Sequence, residues 1–159
     1  MAFCARPEDP LELDEIDRKI LSLLQGDSRT PYAEIGKKVH LSAPAVHARV
    51  KKLETNGVIE GYSVRVKPEA VGANLCAFVR IARSKGKSSD VANELIKLKQ
   101  VEEVHSVAGE DCLIVKLRVG SSLELSHLLD RIRQNPNYVV DRTITAVVLE
   151  THFERGVQA

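Results

Sequence analysis

PYAEIGKKVHLSAPAVHARVKKLETNG, residues 31–57, reads as two short helices joined by a tight turn and closed by a helix stop, the pattern of a DNA-binding helix-turn-helix. In the first helix Thr30 is expected as N-cap and Pro31 as the first helical residue, where a missing N–H and a fixed φ are tolerated. Ile35 and Val39 form its buried face. Gly36 costs this short helix roughly 1 kcal/mol against Ala, so close approach of the following helix is expected to require it. The second helix starts after a break at His40-Leu41, with Ser42 as N-cap and Pro44 in the first turn, and stops at Asn56-Gly57.

Val46, Val50 and Leu53 make one apolar stripe on that second helix and must pack inward. At about 100° per residue, Pro44, Ala45, Ala48, Lys51 and Lys52 turn away from the stripe, with His47 and Arg49 on its flanks. Small residues at the start and cations near the end suit a helix lying in a major groove beside phosphates. The candidate DNA contacts are Thr30, Ser42, Ala43, Pro44, His47, Arg49, Lys51 and Lys52. Among them His47 is a candidate for base contact, Lys51 and Lys52 for phosphate, and Arg49 for either a phosphate or an internal acid such as Glu34. The helix by itself would also suit the solvated side of any small bundle. The segment that follows, Val58 to Val66 with Gly61 inside it, has the place and size of a wing hairpin and favours a winged helix.

With 159 residues and 43% hydrophobic content the chain can build real cores, and its net charge of +1 argues against nonspecific coating of DNA. Charge is local instead: residues 29–67 hold eight basic residues against three acidic ones. Cys4, Cys76 and Cys112 are odd in number and far apart, so neither a disulfide framework nor a zinc site is indicated. No metal or cofactor is expected. Nothing in the sequence resembles a signal peptide or a membrane span, and a cytoplasmic location is expected.

Residues 1–12 lack periodicity and read as a flexible tail. Asp14 caps a first helix running to Gln25, with Gly26 as its stop and Leu13, Ile16, Ile20, Leu23 and Leu24 as its apolar face. The DNA-binding domain is thus residues 13–66, a linker with proline and glycine occupies 67–74, and a second domain spans 75–159. In that domain the patterns read strand (Leu75 to Ala82), polar loop (83–87), helix capped by Ser88 or Ser89, strand from Val101 to Ala108, turn at Gly109-Glu110-Asp111, strand from Cys112 to Val119, helix opened by Ser121 or Ser122, and strand from Val139 to Thr151. The order β-α-β-β-α-β is ferredoxin-like, and the fold class is α+β. Both helices then cover one sheet face, and the partly apolar other face is expected to pair with a second copy.

The chain resembles the Lrp/AsnC, or feast/famine, transcriptional regulators. The resemblance rests on the run from Leu13 to Leu21, Asp27-Ser28-Arg29, Leu41-Ser42 with Val46 and Arg49-Val50, Leu53-Glu54, and Gly57 to Tyr62. Gly72, the Gly109-Glu110-Asp111 turn and Thr143 to Leu149 extend it through the second domain. It implies a winged helix-turn-helix followed by an effector-binding and oligomerisation domain, homodimers that often assemble into octamers, double-stranded DNA as partner, and a small effector, commonly an amino acid. Gly109, Glu110 and Asp111 are the candidate effector contacts, with Thr143 and Thr145 as further candidates for the same pocket. The turn's N–H groups could meet a carboxylate and its acids an ammonium, although Gly-Glu-Asp also makes an ordinary polar hairpin turn. Two alternatives stay open: an architectural DNA-binding protein, and an enzyme subunit like siroheme decarboxylase, for which His105, His127 and His152 would be the groups to converge.

Overall fold

The computed structural model describes residues 12–82, 87–137 and 139–153; the expected tail and the polar loop at 83–87 lie almost wholly outside them. The chain divides between Val64 and Arg65 into two compact units. The first holds three helices, α1 (Glu15–Gly26), α2 (Tyr32–Val39) and α3 (Ala43–Thr55). Its core is Ile20, Leu24, Ile35, Val39, Val46 and Val50, with Ile16, Leu23, Tyr32, Leu41 and Ile59 packed around it. These are the apolar stripes expected of the three helices, each too short to be stable except through that shared core.

Local chemistry sets the helix ends. Asp14 caps α1 by accepting from the Asp17 N–H at 2.7 Å, and Ser42 caps α3 by accepting from the Ala45 N–H at 3.3 Å. Helix α3 ends with Gly57 N–H donating to the Glu54 carbonyl and Val58 N–H to the Leu53 carbonyl, the paired bonds that close a helix and satisfy its last carbonyls. Thr30 is not the cap of α2. Pro31 occupies the cap position and brings no side-chain bond, while the Thr30 hydroxyl donates to the Asp27 carbonyl at 2.8 Å and braces the preceding turn. Likewise α1 runs one residue further than expected, through Gly26 to a cap at Asp27.

The passage from α2 to α3 is tight. His40 takes a left-handed conformation at φ 57, and its N–H and that of Leu41 both return to the Gly36 carbonyl. This swings the chain back so that the Leu41 carbonyl lies against Gly36, where a Cβ would collide with it. The glycine is therefore required by the turn that enters α3, rather than by the body of that helix.

A second tie joins α3 to α1. Arg49 Nη1 donates to Asp14 Oδ2 and to Asp17 Oδ1, both at 2.7 Å, and Asp17 is buried. The Asp17 N–H and then the Arg49 guanidinium hold the Asp14 carboxyl below its usual range, and the two carboxylates raise Arg49 in turn. The internal acids are thus at the start of α1; Glu34 is not among them.

The expected wing strands are absent. Residues 60–67 are neither helix nor strand, and Gly61 does not take the positive φ that a two-residue hairpin turn would use there. Tyr62 is tied back to α3 instead, its hydroxyl donating to Glu54 Oε1 at 3.0 Å. Desolvation of that hydroxyl and the adjoining Glu54 carboxylate push it up to about 12.

In the second unit a 3-10 helix (Pro68–Val71) precedes β1 (Leu75–Ala82), α4 (Ser88–Leu95), β2 (Val101–Ser106), β3 (Leu113–Val119), α5 (Ser122–Arg133) and β4 (Arg142–Val147). The sheet is antiparallel in the order β2-β3-β1-β4, as the split βαβ reading requires. Lys87, not a serine, sits at the cap of α4, whereas Ser121 caps α5 by accepting from the Glu124 N–H. β1 has the expected bounds, whereas the other three strands are shorter than expected, most of all β4, which begins at Arg142 rather than Val139. Ala77, Val79, Ile81, Leu113, Val115 and Leu117 pack with Val91, Leu95, Leu125, Leu128 and Ile132 of the two helices. The opposite parity of the same strands, including Phe78, Arg80, Ile114, Lys116, Ile144 and Ala146, makes the other face.

Replacing Gly36 by Ala should destabilise the first unit by about 1–3 kcal/mol despite the better helix propensity of Ala, because the colliding atom is backbone. Denaturant unfolding of the two proteins measures this. A pH dependence follows from Asp14. Its folded value is depressed, so its contribution is present above the ordinary carboxylate value of 3.8 and is lost as pH falls through the depressed one. Asp14→Asn keeps a good N-cap and removes the charge. The stability gap between parent and variant should therefore be full near neutrality and close as acid unfolding is followed below about pH 4.

Candidate functional sites

Helix α3 presents two sides. Val46, Val50 and Leu53 are buried, whereas Ser42, Pro44, His47, Ala48, Lys51 and Lys52 are exposed and Ala43 is half-buried. No acid among the described residues pairs with Lys51 or Lys52. His47 is not loose: its ring packs at a tilt against Tyr32 from the start of α2, with centroids 5.6 Å apart. The half-buried Tyr32 ring thus buttresses an exposed imidazole on the outer side of α3, a pairing between helices that residue spacing did not reveal. Arg49 lies apart from the other candidates because its guanidinium is engaged by Asp14 and Asp17. Thr30 is half-buried with its hydroxyl committed to the Asp27 turn.

In the second unit the turn between β2 and β3 brings four charged side chains together. Gly109 takes a φ of 128, which only glycine adopts readily, and a Cβ built there would meet nothing within 4 Å. The Val107 N–H closes the turn on the Cys112 carbonyl. Asp111 is buried, and its Oδ2 accepts from Arg80 Nε at 2.6 Å. Arg142 Nη2 stands 3.9 Å from both Asp111 Oδ1 and Glu110 Oε2. Arg80 and Arg142 reach the turn because β1 and β4 are neighbours in a register that pairs Ala82 with Arg142 and Arg80 with Ile144.

Thr143 and Thr145 are not brought to this cluster. They pair with Ile81 and Val79 on the side of the sheet that the helices cover, and the Thr143 hydroxyl accepts from Arg133 of α5 at 2.9 and 3.1 Å. The two arginines at the turn were missed from the sequence. Arg80 interrupts an apolar strand, which is a signal that something faces it, but the partner is set by register.

The uncovered sheet face is mixed. Phe78 and Ile144 remain 40% and 39% exposed on it. Beside them Lys116, itself buried, reaches Glu102 at 3.4 Å and Glu103 at 3.3 Å, and Arg118 pairs with Glu102 at 2.6 Å. A hydrogen bond from His105, with the Lys116 ammonium beside it, holds the Glu103 carboxyl below its usual range. His105 is on this face and His127 is exposed on α5 on the other side of the sheet, while His152 pairs with Glu150 beyond β4. The structure does not gather the three histidines into one cleft. Among the described residues no group of His, Cys, Asp and Glu could hold a metal, and no helix is long and apolar enough to cross a membrane.

Comparison with known proteins accords with this arrangement. Residues 13–54 match the AsnC-type helix-turn-helix domain and residues 76–158 the Lrp/AsnC ligand binding domain. The chain is 40% identical over 144 residues to the HTH-type transcriptional regulator FL11 of Pyrococcus abyssi, covering 91% of this chain and 94% of that one. It is 39% identical over 142 residues to the regulator LrpA of Mycobacterium tuberculosis, covering 89% and 93%. Among solved structures, the feast or famine regulatory protein of M. tuberculosis complexed with L-methionine has a TM-score of 0.85 at 39% identity, over 93% of this chain and all of that one. A transcriptional regulator from Neisseria meningitidis in complex with L-Met has a TM-score of 0.82 at 28% identity, over 91% and 94%. The chain belongs to the Lrp/AsnC family of transcriptional regulators.

Proposed function

We propose that this regulator binds double-stranded DNA as a homodimer through the exposed side of α3, and that a free amino acid bound at the Gly109-Glu110-Asp111 turn changes its assembly or its affinity for DNA. The observation that carries the DNA half is the outer side of α3, where small residues lead into His47 and two lysines that no acid among the described residues pairs, on an otherwise anchored helix. Its N-terminal residues can approach base edges, Lys51 and Lys52 meet phosphates, and His47 reads a base from its seat on Tyr32. Arg49 is best assigned to orienting the helix, since two short bonds to carboxylates already satisfy its charge. A dimer supplies two such helices related by a two-fold axis, and so favours a pseudo-palindromic site.

The effector half is supported by the two relatives solved with methionine and by the charged turn in this chain. A ligand that binds one assembly better than another shifts the population between them by its difference in affinity, without touching DNA. That the relatives are named as transcriptional regulators favours this reading over catalysis, as does the separation of the histidines.

Lys51→Ala should weaken operator and unrelated DNA alike and flatten the dependence of log affinity on log salt by about 0.9, the share of one phosphate contact. Fluorescence anisotropy across a salt series measures both, and repeating it with each common amino acid added tests the effector half. An unchanged slope in a folded variant would mean that α3 is oriented differently on DNA. Assembly has its own test. Ile144→Glu places a charge on the apolar part of the uncovered sheet face and should drive the full chain toward monomer in sedimentation at micromolar concentration, while its thermal unfolding still shows a folded protein.

A further inference from the structure

We propose that Tyr62 is a positioning residue for DNA binding: it holds the Glu54 carboxylate and so leaves the Lys51 ammonium available to a phosphate. This rests on the reading of α3 above and deepens it. His47, Lys51 and Glu54 stand four and three residues apart, so they follow one another along the same side of the helix. An acid three residues from a lysine is within its reach, and such a pair would occupy the cation that the DNA needs. Glu54 is also misplaced for helix stability, since a negative charge in the last turn of α3, which ends at Thr55, opposes the helix dipole. Its carboxylate does not serve the helix that carries it.

What it serves is the chain that follows. The Tyr62 hydroxyl, eight residues on, donates to Glu54 Oε1 at 3.0 Å. With Ile59 packed against the core of the unit, the segment leaving α3 is thus tied at two points. Desolvation and the Glu54 carboxylate itself push the hydroxyl up to about 12, so it stays a donor throughout the range in which DNA is bound. Glu54 is half-buried and bonded to the tyrosine, while Lys51 is exposed. A phenol satisfies the carboxylate without occupying one of the cations on which counterion release depends. Remove that hydroxyl, and Lys51 is the cation that helical spacing brings to Glu54; Lys52, two residues away, faces elsewhere.

The test is a double-mutant cycle on DNA affinity, read by fluorescence anisotropy with the full chain and run with and without the tyrosine hydroxyl. With Tyr62 in place, the effects of Lys51→Ala and Glu54→Gln should add, because nothing joins the two side chains. In the Tyr62→Phe background the same pair should be coupled by about two- to fivefold, the worth of an exposed ion pair. Tyr62→Phe alone should weaken operator and unrelated DNA alike by a similar factor, and Glu54→Gln should restore the loss. A merely structural role for Tyr62 would give a loss that Glu54→Gln does not restore, and that outcome overturns the proposal. So does a folded Tyr62→Phe protein that binds like the parent when Lys51→Ala weakens binding; the reading of α3 then still stands. The parent cycle needs no change at Tyr62, and coupling there would overturn the proposal too, since the acid would be competing for Lys51 despite the tyrosine. Thermal unfolding confirms that each variant is folded. If Lys51→Ala has no effect, the proposal and the reading of α3 both fall.

Discussion

The Leu41 carbonyl resting against Gly36 is the constraint on which the N-terminal unit depends. Because no side chain intervenes, the chain can turn through the left-handed His40 and enter α3 within three residues of leaving α2. That short passage sets the crossing of the two helices. The apolar stripe of α3 then faces Ile35 and Val39, and whatever is not stripe faces outward. Arg49 adds a second point of attachment, fixing the middle of α3 to the N-terminus of α1. A helix pinned at its entrance and its middle loses little further freedom when it meets a ligand, which is the physical advantage of presenting binding groups on a rigid element.

The C-terminal unit follows a different constraint. Two helices cover one face of a four-stranded antiparallel sheet, and the other face carries both exposed apolar groups and an ion-pair cluster. Exposed to water, that apolar surface carries a free-energy cost that burial against another surface would relieve. The charged turn belongs to the same face, since Arg80 and Arg142 project from it. The charged turn and the exposed apolar groups Phe78 and Ile144 therefore share one face of the sheet.

How far the sequence could be read varied with the kind of interaction. The three N-terminal helices, the order of the C-terminal elements, the Ser42 and Asp14 caps and the inward stripes were all legible, because each rests on residues within a few positions of one another. Gly36 was legible as a close-approach glycine by its cost inside a helix. The wing was not, since Val58 to Val66 has strand-forming residues but makes no cross-strand neighbours among the described residues, and propensity without partners does not make a hairpin.

The candidate sites divide along the same line. Lys51, Lys52 and Pro44 could be assigned to the outer side of α3 and His47 to its flank from helical periodicity by itself, and all four are exposed in the structure. Helical periodicity could not say that Arg49 is held by Asp14 and Asp17, more than thirty residues away, or that Tyr32 supports His47. Equally, the sequence marked the Gly109 turn but had no means of bringing Arg80 and Arg142 to it or of turning Thr143 toward Arg133. Those pairings come from strand order and register, which depend on the packing of the whole sheet. The sequence by itself determined the helices, the order of the C-terminal strands and the family; the tertiary structure decided that no wing forms and which charges meet, because a strand pair or a charge pair is made by two segments and neither carries its partner's address.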